Sequence, residues 1–257
     1  MDVFHADYLI LAIAALFAGL MDAIVGGGGL IQVPALFGVF PQTTPATLFG
    51  TNKFAGIWGT AFASQAYARQ LRVAWSTALP ASIAAFIFSF VGAWAVTHFP
   101  PDLIRKFLPF ILLFVALYVA RHKTMGGIHA PRYRGLHEIC LSFGVGLGIG
   151  LYDGFFGPGT GSFLIFLFVR FFGFDFLGAS AVSKIVNVAC NLSALIWFGY
   201  SGHVLWQLGL LMAICNIAGA VIGTRLALQR GSGFIRKAFL AVVALLIFKT
   251  AKDAFWT

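Results

Sequence analysis

The sequence predicts an all-α polytopic membrane protein made of two homologous repeats. Its composition, its long apolar stretches and an internal repeat all support this class. The 257 residues are 60% hydrophobic and 10% charged, with a mean hydropathy of +0.92. Soluble domains carry about 25% charged residues, so this chain has too few charges to cover a surface that faces water. We therefore expect a lipid bilayer to surround most of it.

The apolar stretches account for eight membrane segments, or ten if two short ones are included. Several reach about the 20 residues that a spanning helix needs, and others fall slightly short. Continuous apolar runs, without alternation, favour helices over a lipid-facing barrel. In chain order the long stretches are Tyr8–Val25, Ala46–Ala68, Trp75–Phe99, Leu103–Ala120, Ile139–Phe156, Gly178–Tyr200, Leu205–Leu228 and Phe234–Phe248. The short ones are Leu30–Phe40 and residues 162–172.

The chain repeats itself with a constant step of 131 residues. Several chemically distinctive residues recur in this one frame, which indicates duplication rather than chance. The step carries Asp22 onto Asp153, Gly26 onto Gly157, Gly28 onto Gly159, Lys53 onto Lys184, Trp75 onto Trp206 and Gly92 onto Gly223. The predicted repeats are residues 1–120 and 138–257, and a polar basic linker, residues 121–137, joins them.

The short stretches decide how the repeats are oriented. Leu30–Phe40 would be about 16 Å long as a helix, which is too short to cross the membrane alone. If neither short stretch counts as a pass, the repeats are parallel and the loop Lys and Arg residues divide eight inside to seven outside. If each counts as a return pass, the repeats are inverted and the division is eleven to four. The positive-inside rule therefore favours inverted repeats with broken or re-entrant glycine-rich helices.

Two glycine runs are the sharpest local features. No Lys-Ser/Thr pair follows either run, so nucleotide binding is disfavoured, whereas close helix packing is a real alternative. An aspartate precedes each run, which fits a helix broken at membrane depth, where released backbone N–H groups attract anions. We therefore predict a substrate site at the breaks. Its backbone would come from Gly26, Gly27, Gly28, Gly29, Gly157, Gly159, Thr160 and Gly161.

Lys53 and Lys184 lie well inside apolar segments. An ammonium near the bilayer centre costs at least ~2.5 kcal/mol, so each lysine should face the protein interior with a partner, or snorkel to an interface. An interior lysine would serve an anion pocket or a Lys–Asp pair across the repeats. Neighbouring neutral donors are Asn52, Ser183 and Asn187. Asp22 and Asp153 are interpreted as structural counter-ions or as protonatable coupling groups.

Other functional classes find little support. The net charge of +9 is typical of loops that follow the positive-inside rule, so nucleic acid is not an expected partner. Cys140, Cys190 and Cys215 lie in apolar stretches without metal-ligand spacing, so we expect neither a metal nor another cofactor. The sequence has no recognisable catalytic pattern, and we expect no enzyme. The sequence leaves a homo-oligomer open.

The paired motifs resemble those of the TauE/SafE, or sulfite exporter, family of membrane transporters. The resemblance rests on Gly19-Leu-x-Asp22-x-x-x-Gly26-Gly-Gly, Pro34, Gly50-Thr51-Asn52-Lys53, Asp153-Gly-Phe-Phe-Gly157-Pro-Gly159-Thr-Gly161 and Ser183-Lys184-x-x-Asn187. It implies a secondary transporter in the inner membrane that moves a small sulfur-containing anion, such as sulfite, sulfoacetate, another sulfonate or thiosulfate. Alternating access and proton coupling are the expected mechanism. The competing interpretations are a channel-like anion pore, a non-transporting membrane assembly protein, and a transporter for a carboxylate or a metal cation.

Overall fold

The computed structural model describes residues 2–104, 106, 110 and 131–255. Within these ranges the regular secondary structure is helical throughout. The helices are α1 Asp2–Val25, α2 Gly29–Val39, α3 Pro45–Gln70, α4 Trp75–His98, α5 Leu136–Phe155, α6 Thr160–Leu167, α7 Phe176–Tyr200 and α8 Trp206–Phe255. A π-helical turn, Phe168–Phe172, extends α6, and Gly231 interrupts α8 with a φ of +70°.

Five of the described helices contain a segment long and apolar enough to cross a membrane. These segments are Ala6–Val25, Trp75–His98, Leu136–Phe155, Phe176–Tyr200 and Trp206–Ile235. Helix α3 is also long enough, with 26 residues, but residues such as Asn52 and Lys53 make it more polar. The all-α polytopic membrane class is therefore confirmed. The total of 8–10 segments stays a prediction, because most of the predicted segment Leu103–Ala120 lies outside the described residues.

Several of the predicted helix starts agree closely with the structure. Helices α2, α3 and α4 each begin within one residue of the predicted start. Helix α1 begins six residues before the predicted Tyr8, and α5 begins at Leu136, inside the predicted linker. The added turn of α5 carries Glu138, and a carboxylate in the first turn stabilises the positive end of a helix. The apolar pattern alone missed these turns. Residues 121–130 of the linker lie outside the described residues.

The same step of 131 residues separates the helices of the two repeats. Helices α2, α3 and α4 begin at Gly29, Pro45 and Trp75, whereas α6, α7 and α8 begin at Thr160, Phe176 and Trp206. The packing is also exchanged between the repeats, because α1 packs along α8 and α4 packs along α5. The duplication and the inverted orientation of the repeats both stay predictions, and these helix positions are the ones that a duplication would give.

Glycines allow these exchanged helix pairs to approach closely. A Cβ atom at Gly150 of α5 would lie 2.6 Å from the carbonyl oxygen of Ala85 in α4. At the equivalent position of α1, a Cβ atom at Gly19 would lie 2.9 Å from the Cα atom of Asn216 in α8. Small residues at membrane helix interfaces let backbones make such contacts. The helices of the two repeats therefore pack against one another, and α6 is buried from Thr160 to Phe166.

Candidate functional site

The two glycine-rich breaks lie against each other, backbone to backbone. The N–H group of Ser162 donates to the carbonyl oxygen of Gly26 at 3.1 Å, and the Ser162 hydroxyl donates to the carbonyl oxygen of Val25 at 2.8 Å. Gly26 has a φ of +76°, which disfavours any residue with a side chain. A Cβ atom there would also lie 2.7 Å from the Ser162 nitrogen. The end of α1 is therefore tied directly to the start of α6.

A tyrosine hydroxyl donates a hydrogen bond to a backbone carbonyl oxygen at each of the two breaks. Tyr67 donates to the carbonyl oxygen of Ala23 at 3.0 Å, just before the first break. Tyr152 donates to the carbonyl oxygen of Pro158 at 2.6 Å, inside the second break. These bonds satisfy carbonyl groups that an interrupted helix would leave without a partner in a medium that offers none. The broken backbone is therefore fixed in place.

A cavity of about 40 Å³ opens beside the breaks. This is room for roughly three water molecules. Glycines, neutral polar side chains and a few charged side chains form its wall. The lining residues are Asp22, Gly26, Gly28, Gly29, Gln32, Asn52, Lys53, Gly56, Thr60, Asp153, Gly157, Gly159, Thr160, Gly161, Asn187, Asn191 and Asn216.

Two ion pairs cross between the repeats at this cavity. Lys53 of the first repeat pairs with the carboxylate of Asp153 in the second. Lys184 of the second repeat donates to the backbone carbonyl oxygen of Asp22 in the first, and its Nζ atom lies 3.2 Å from the carboxylate Oδ2 atom. The lysine side chains are only 2% and 0% exposed, so neither snorkels to an interface. The formal charges of the four groups cancel.

The two lysines are not equivalent, although the repeat aligns them. Lys53 lines the cavity, and a Cβ atom at Gly157 would lie 2.9 Å from its Nζ atom. Lys184 lies outside the lining, and its ammonium group contacts Asp22, which does line the cavity. The Asp22 carboxylate also accepts a hydrogen bond from the Thr60 hydroxyl at 3.0 Å. Lys53 is therefore the cation that faces the cavity.

Comparison with known proteins identifies the group to which the chain belongs. Residues 11–250 match the family model described as "Sulfite exporter TauE/SafE". The chain belongs to the TauE/SafE family. It is 35% identical over 243 residues to the "Probable membrane transporter protein ORF9" of a Sinorhizobium species. This alignment covers 95% of this chain and 92% of the relative.

Two further relatives have similar names. The chain is 32% identical over 245 residues to the "Probable membrane transporter protein YfcA" of Escherichia coli K12, with 95% of this chain and 90% of the relative covered. It is 32% identical over 256 residues to a "Probable membrane transporter protein" of Haemophilus influenzae, with 100% and 99% covered. No solved structure matches the chain. The family, the names of these relatives and the apolar helices together show that the chain is a multi-pass membrane transporter, which fits the expected non-enzymatic class.

Most of the predicted site residues of this TauE/SafE protein meet at the cavity. Those in the lining are Asp22, Gly26, Gly28, Gly29, Asn52, Lys53, Asp153, Gly157, Gly159, Thr160, Gly161 and Asn187. Gly27, Ser183 and Lys184 lie outside it. Gly27 adjoins Leu30 and Ser162 instead, and the Ser183 side chain is buried. A substrate role for these three residues stays a prediction.

The sequence-based set lacks five of the lining residues. Three of them, Gly56, Thr60 and Asn191, line the cavity. Their spacing along the chain places them on the same helical faces as the lysines, but that spacing alone does not assign them to the site. The sequence suggests only a helix–helix contact for Asn216. It does make one, because its side-chain N–H group donates to the Ala15 carbonyl oxygen at 3.3 Å, but it also lines the cavity. Gln32 was missed, and its one signal is that it is the only amide in an otherwise apolar short helix, α2.

Proposed function

We propose that this TauE/SafE transporter moves a small sulfur-containing anion across the inner membrane by alternating access through the cavity. The substrate would be sulfite, sulfoacetate, another sulfonate or thiosulfate. The observation that carries the proposal is the position of Lys53, whose buried ammonium lines a cavity formed by two helix breaks. A buried cation in such a position is well suited to neutralise a bound anion.

The backbone around Lys53 also favours an anion. Helices α2 and α6 begin at Gly29 and Thr160, and both of these residues line the cavity. The first N–H groups of a helix have no intrahelical acceptors, and they form the positive end of its dipole. The glycines Gly28 and Gly159, which precede the two helices, have no side chain to keep an anion away. Some of these N–H groups already have acceptors, because Leu30 donates to the Gly27 carbonyl oxygen at 3.0 Å and Thr160 donates to that of Gly157 at 3.3 Å. The starts of the two helices would therefore attract a tetrahedral oxyanion chiefly through their dipoles.

Charge balance supports coupling to a proton. The charges of the Lys53–Asp153 and Lys184–Asp22 pairs cancel, so the side chains around the cavity are formally neutral as a group. An anion that enters adds a buried negative charge, which is unfavourable unless another group neutralises it. If Asp153 accepts a proton as a monovalent anion enters, Lys53 is released to bind the anion and the cavity stays neutral, whereas a dianion such as thiosulfate would need a second proton. We therefore include the movement of at least one proton with each anion in the proposal.

The first test is uptake by the purified protein in liposomes. The substrate panel is sulfite, thiosulfate, sulfate, sulfoacetate, taurine and acetate. We expect saturable uptake of one sulfur anion, accelerated by the same anion on the opposite side. A transporter exchanges its site between two faces, whereas a pore does not. Flux that neither saturates nor exchanges would indicate an anion pore, and absence of flux for every anion would favour an assembly protein.

The coupling is tested by Asp153→Asn. We expect this variant to lose anion accumulation driven by a pH gradient, because an amide cannot take up the proton. It should still exchange labelled for unlabelled anion, because Lys53 is then free of its carboxylate partner. Uptake under an imposed pH gradient and exchange at equal pH are measured separately in liposomes.

Asp175→Asn is the matched control for the coupling test. Asp175 lies away from the cavity and caps α7, where its carboxylate accepts a hydrogen bond from the Gly178 N–H group at 3.2 Å. Asparagine is an equally good capping residue, so this variant should keep accumulation driven by the pH gradient. If the Asp153→Asn variant also keeps it, Asp153 is not the coupling group.

A further inference from the structure

The side-chain amide nitrogen of Gln32 is a buried hydrogen-bond donor to which the described part of the chain offers no acceptor. The side chain is 1% exposed, and its Nε2 atom has no hydrogen-bond partner among the described residues. Gln32 also lines the cavity. A buried N–H group without an acceptor is unfavourable, and native proteins rarely retain one without a reason. An acceptor that enters the cavity would remove this penalty.

Asn216 fixes the orientation of the Gln32 amide. Its Nδ2 atom donates to the Oε1 atom of Gln32 at 3.3 Å and to the carbonyl oxygen of Ala15 at the same distance. The oxygen end of the Gln32 amide is thus held by α8, and the nitrogen end remains for another partner. Asn216 is therefore a positioning residue for Gln32.

The repeat shows that packing does not require this amide pair. The step of 131 residues carries Gln32 onto Phe163, and it relates Asn216 to Ala85 in the first repeat. Phe163 and Ala85 are both buried, so apolar side chains fill the equivalent positions. The Gln32–Asn216 pair is thus confined to one side of the molecule. Other donors on the cavity wall include Asn52, Asn187 and Asn191.

From this geometry we infer that Gln32 is a specificity-determining residue that donates a hydrogen bond from Nε2 to an oxygen of the transported anion. The inference rests on the proposed function and deepens it. Lys53 would bind one part of the anion and Gln32 another, so the site would select an anion with several unprotonated oxygens. Sulfite, sulfonates, sulfate and thiosulfate meet this requirement, whereas a spherical halide offers no separate oxygen to Gln32.

Two substitutions at Gln32 separate this role from a purely structural one. Gln32→Met removes the donor and the bond to Asn216, whereas Gln32→Glu keeps an oxygen for Asn216 and places a negative charge at the donor position. If Gln32 binds an anion, Glu should be worse than Met. If Gln32 only supports Asn216, Glu should be milder than Met. The two roles therefore predict opposite orders.

The measurement is the KM for sulfite, thiosulfate and sulfoacetate in liposomes, with chloride as a competing anion. We expect Gln32→Met to raise the KM for the transported oxyanion roughly 10- to 100-fold, as for the loss of a hydrogen bond to a charged group. Gln32→Glu should raise it further. Chloride should inhibit uptake of the oxyanion more strongly in the Gln32→Met variant than in the wild type, because only the oxyanion depends on the hydrogen bond from Gln32.

Thr224→Val is the matched control. Thr224 lies in α8 outside the cavity lining, is 2% exposed, and its hydroxyl also lacks a protein partner among the described residues. Its removal should leave every KM within about twofold of the wild type. Thermal unfolding of each purified variant identifies any loss of folded protein.

The possible results fall into distinct classes. A KM in the Glu variant closer to the wild-type value than that of the Met variant would overturn the inference. An unchanged KM in the Gln32→Met variant would also overturn the inference, provided that the wild type transports the anion and the Lys53→Met variant does not. In that case the proposed function would still stand. Failure of the wild type to transport any oxyanion of the panel would overturn both proposals.

Discussion

Transport of the sulfur anion should fall by at least ~30-fold in kcat/KM when Lys53 is replaced by methionine. Removing one member of a buried, hydrogen-bonded charge pair costs about 2–5 kcal/mol, which corresponds to a factor of ~30 to several thousand. The substitution removes the cation that faces the cavity and leaves the Asp153 carboxylate, 1% exposed, without its partner. The same variant should therefore lose stability by about 3–5 kcal/mol.

The double variant Lys53→Met/Asp153→Asn separates these two effects. It leaves no unpaired charge in the interior, and replacement of a whole buried ion pair is often neutral or stabilising. We therefore expect it to recover most of the thermal stability in detergent while its transport remains absent. Wild-type transport by the double variant would show that the pair is structural and that Lys53 does not bind the anion.

Replacement of Gly26 by alanine should destabilise the protein by about 3 kcal/mol or more. A non-glycine residue at positive φ costs about 1–2 kcal/mol, and the added methyl group would overlap the backbone of residues 161 and 162. The methyl group would also force apart the two breaks that form the cavity wall. We expect low yields of monodisperse protein, a lower unfolding temperature and loss of uptake.

The neighbouring Gly27→Ala variant is the control for Gly26→Ala. A Cβ atom at Gly27 would meet its nearest neighbours, Leu30 and Ser162, at 3.6 Å, which is an ordinary van der Waals contact. This variant should therefore fold and transport close to the wild type. If the Gly26→Ala variant is as stable and active as the Gly27→Ala variant, the breaks do not need the close backbone contact.

Local sequence rules predicted the features that depend on short stretches of chain. Continuous apolarity predicted the membrane class, and Pro45 and Gly29 marked helix starts that the structure places within one residue of the prediction. The repeat indicated that the lysines belong together with the aspartates. The repeat could not predict how the two lysines differ. It aligns Lys53 with Lys184, but it cannot show that Lys53 lines the cavity while Lys184 contacts Asp22 outside the lining.

Gln32 and Asn216 show the opposite limit. They are 184 positions apart in the chain, and it is the packing of α1 against both α2 and α8 that brings their amides within 3.3 Å. Neither residue has a polar counterpart at the equivalent position of the other repeat. A search based on matched positions therefore passes over both. Residues that appear in one repeat alone are the ones that such a search is least able to find.

The crossed ion pairs have a consequence for how such a protein can arise and change. A chain that consisted of the first repeat alone would contain Lys53 and Asp22 but neither of their partners, Asp153 and Lys184. Two copies of that chain, packed as the repeats are here, would restore both pairs. A single gene encoding one repeat could therefore build a complete site as a homodimer. Fusion into one chain then frees each repeat to acquire residues that the other lacks, such as Gln32, and so allows an asymmetric substrate site.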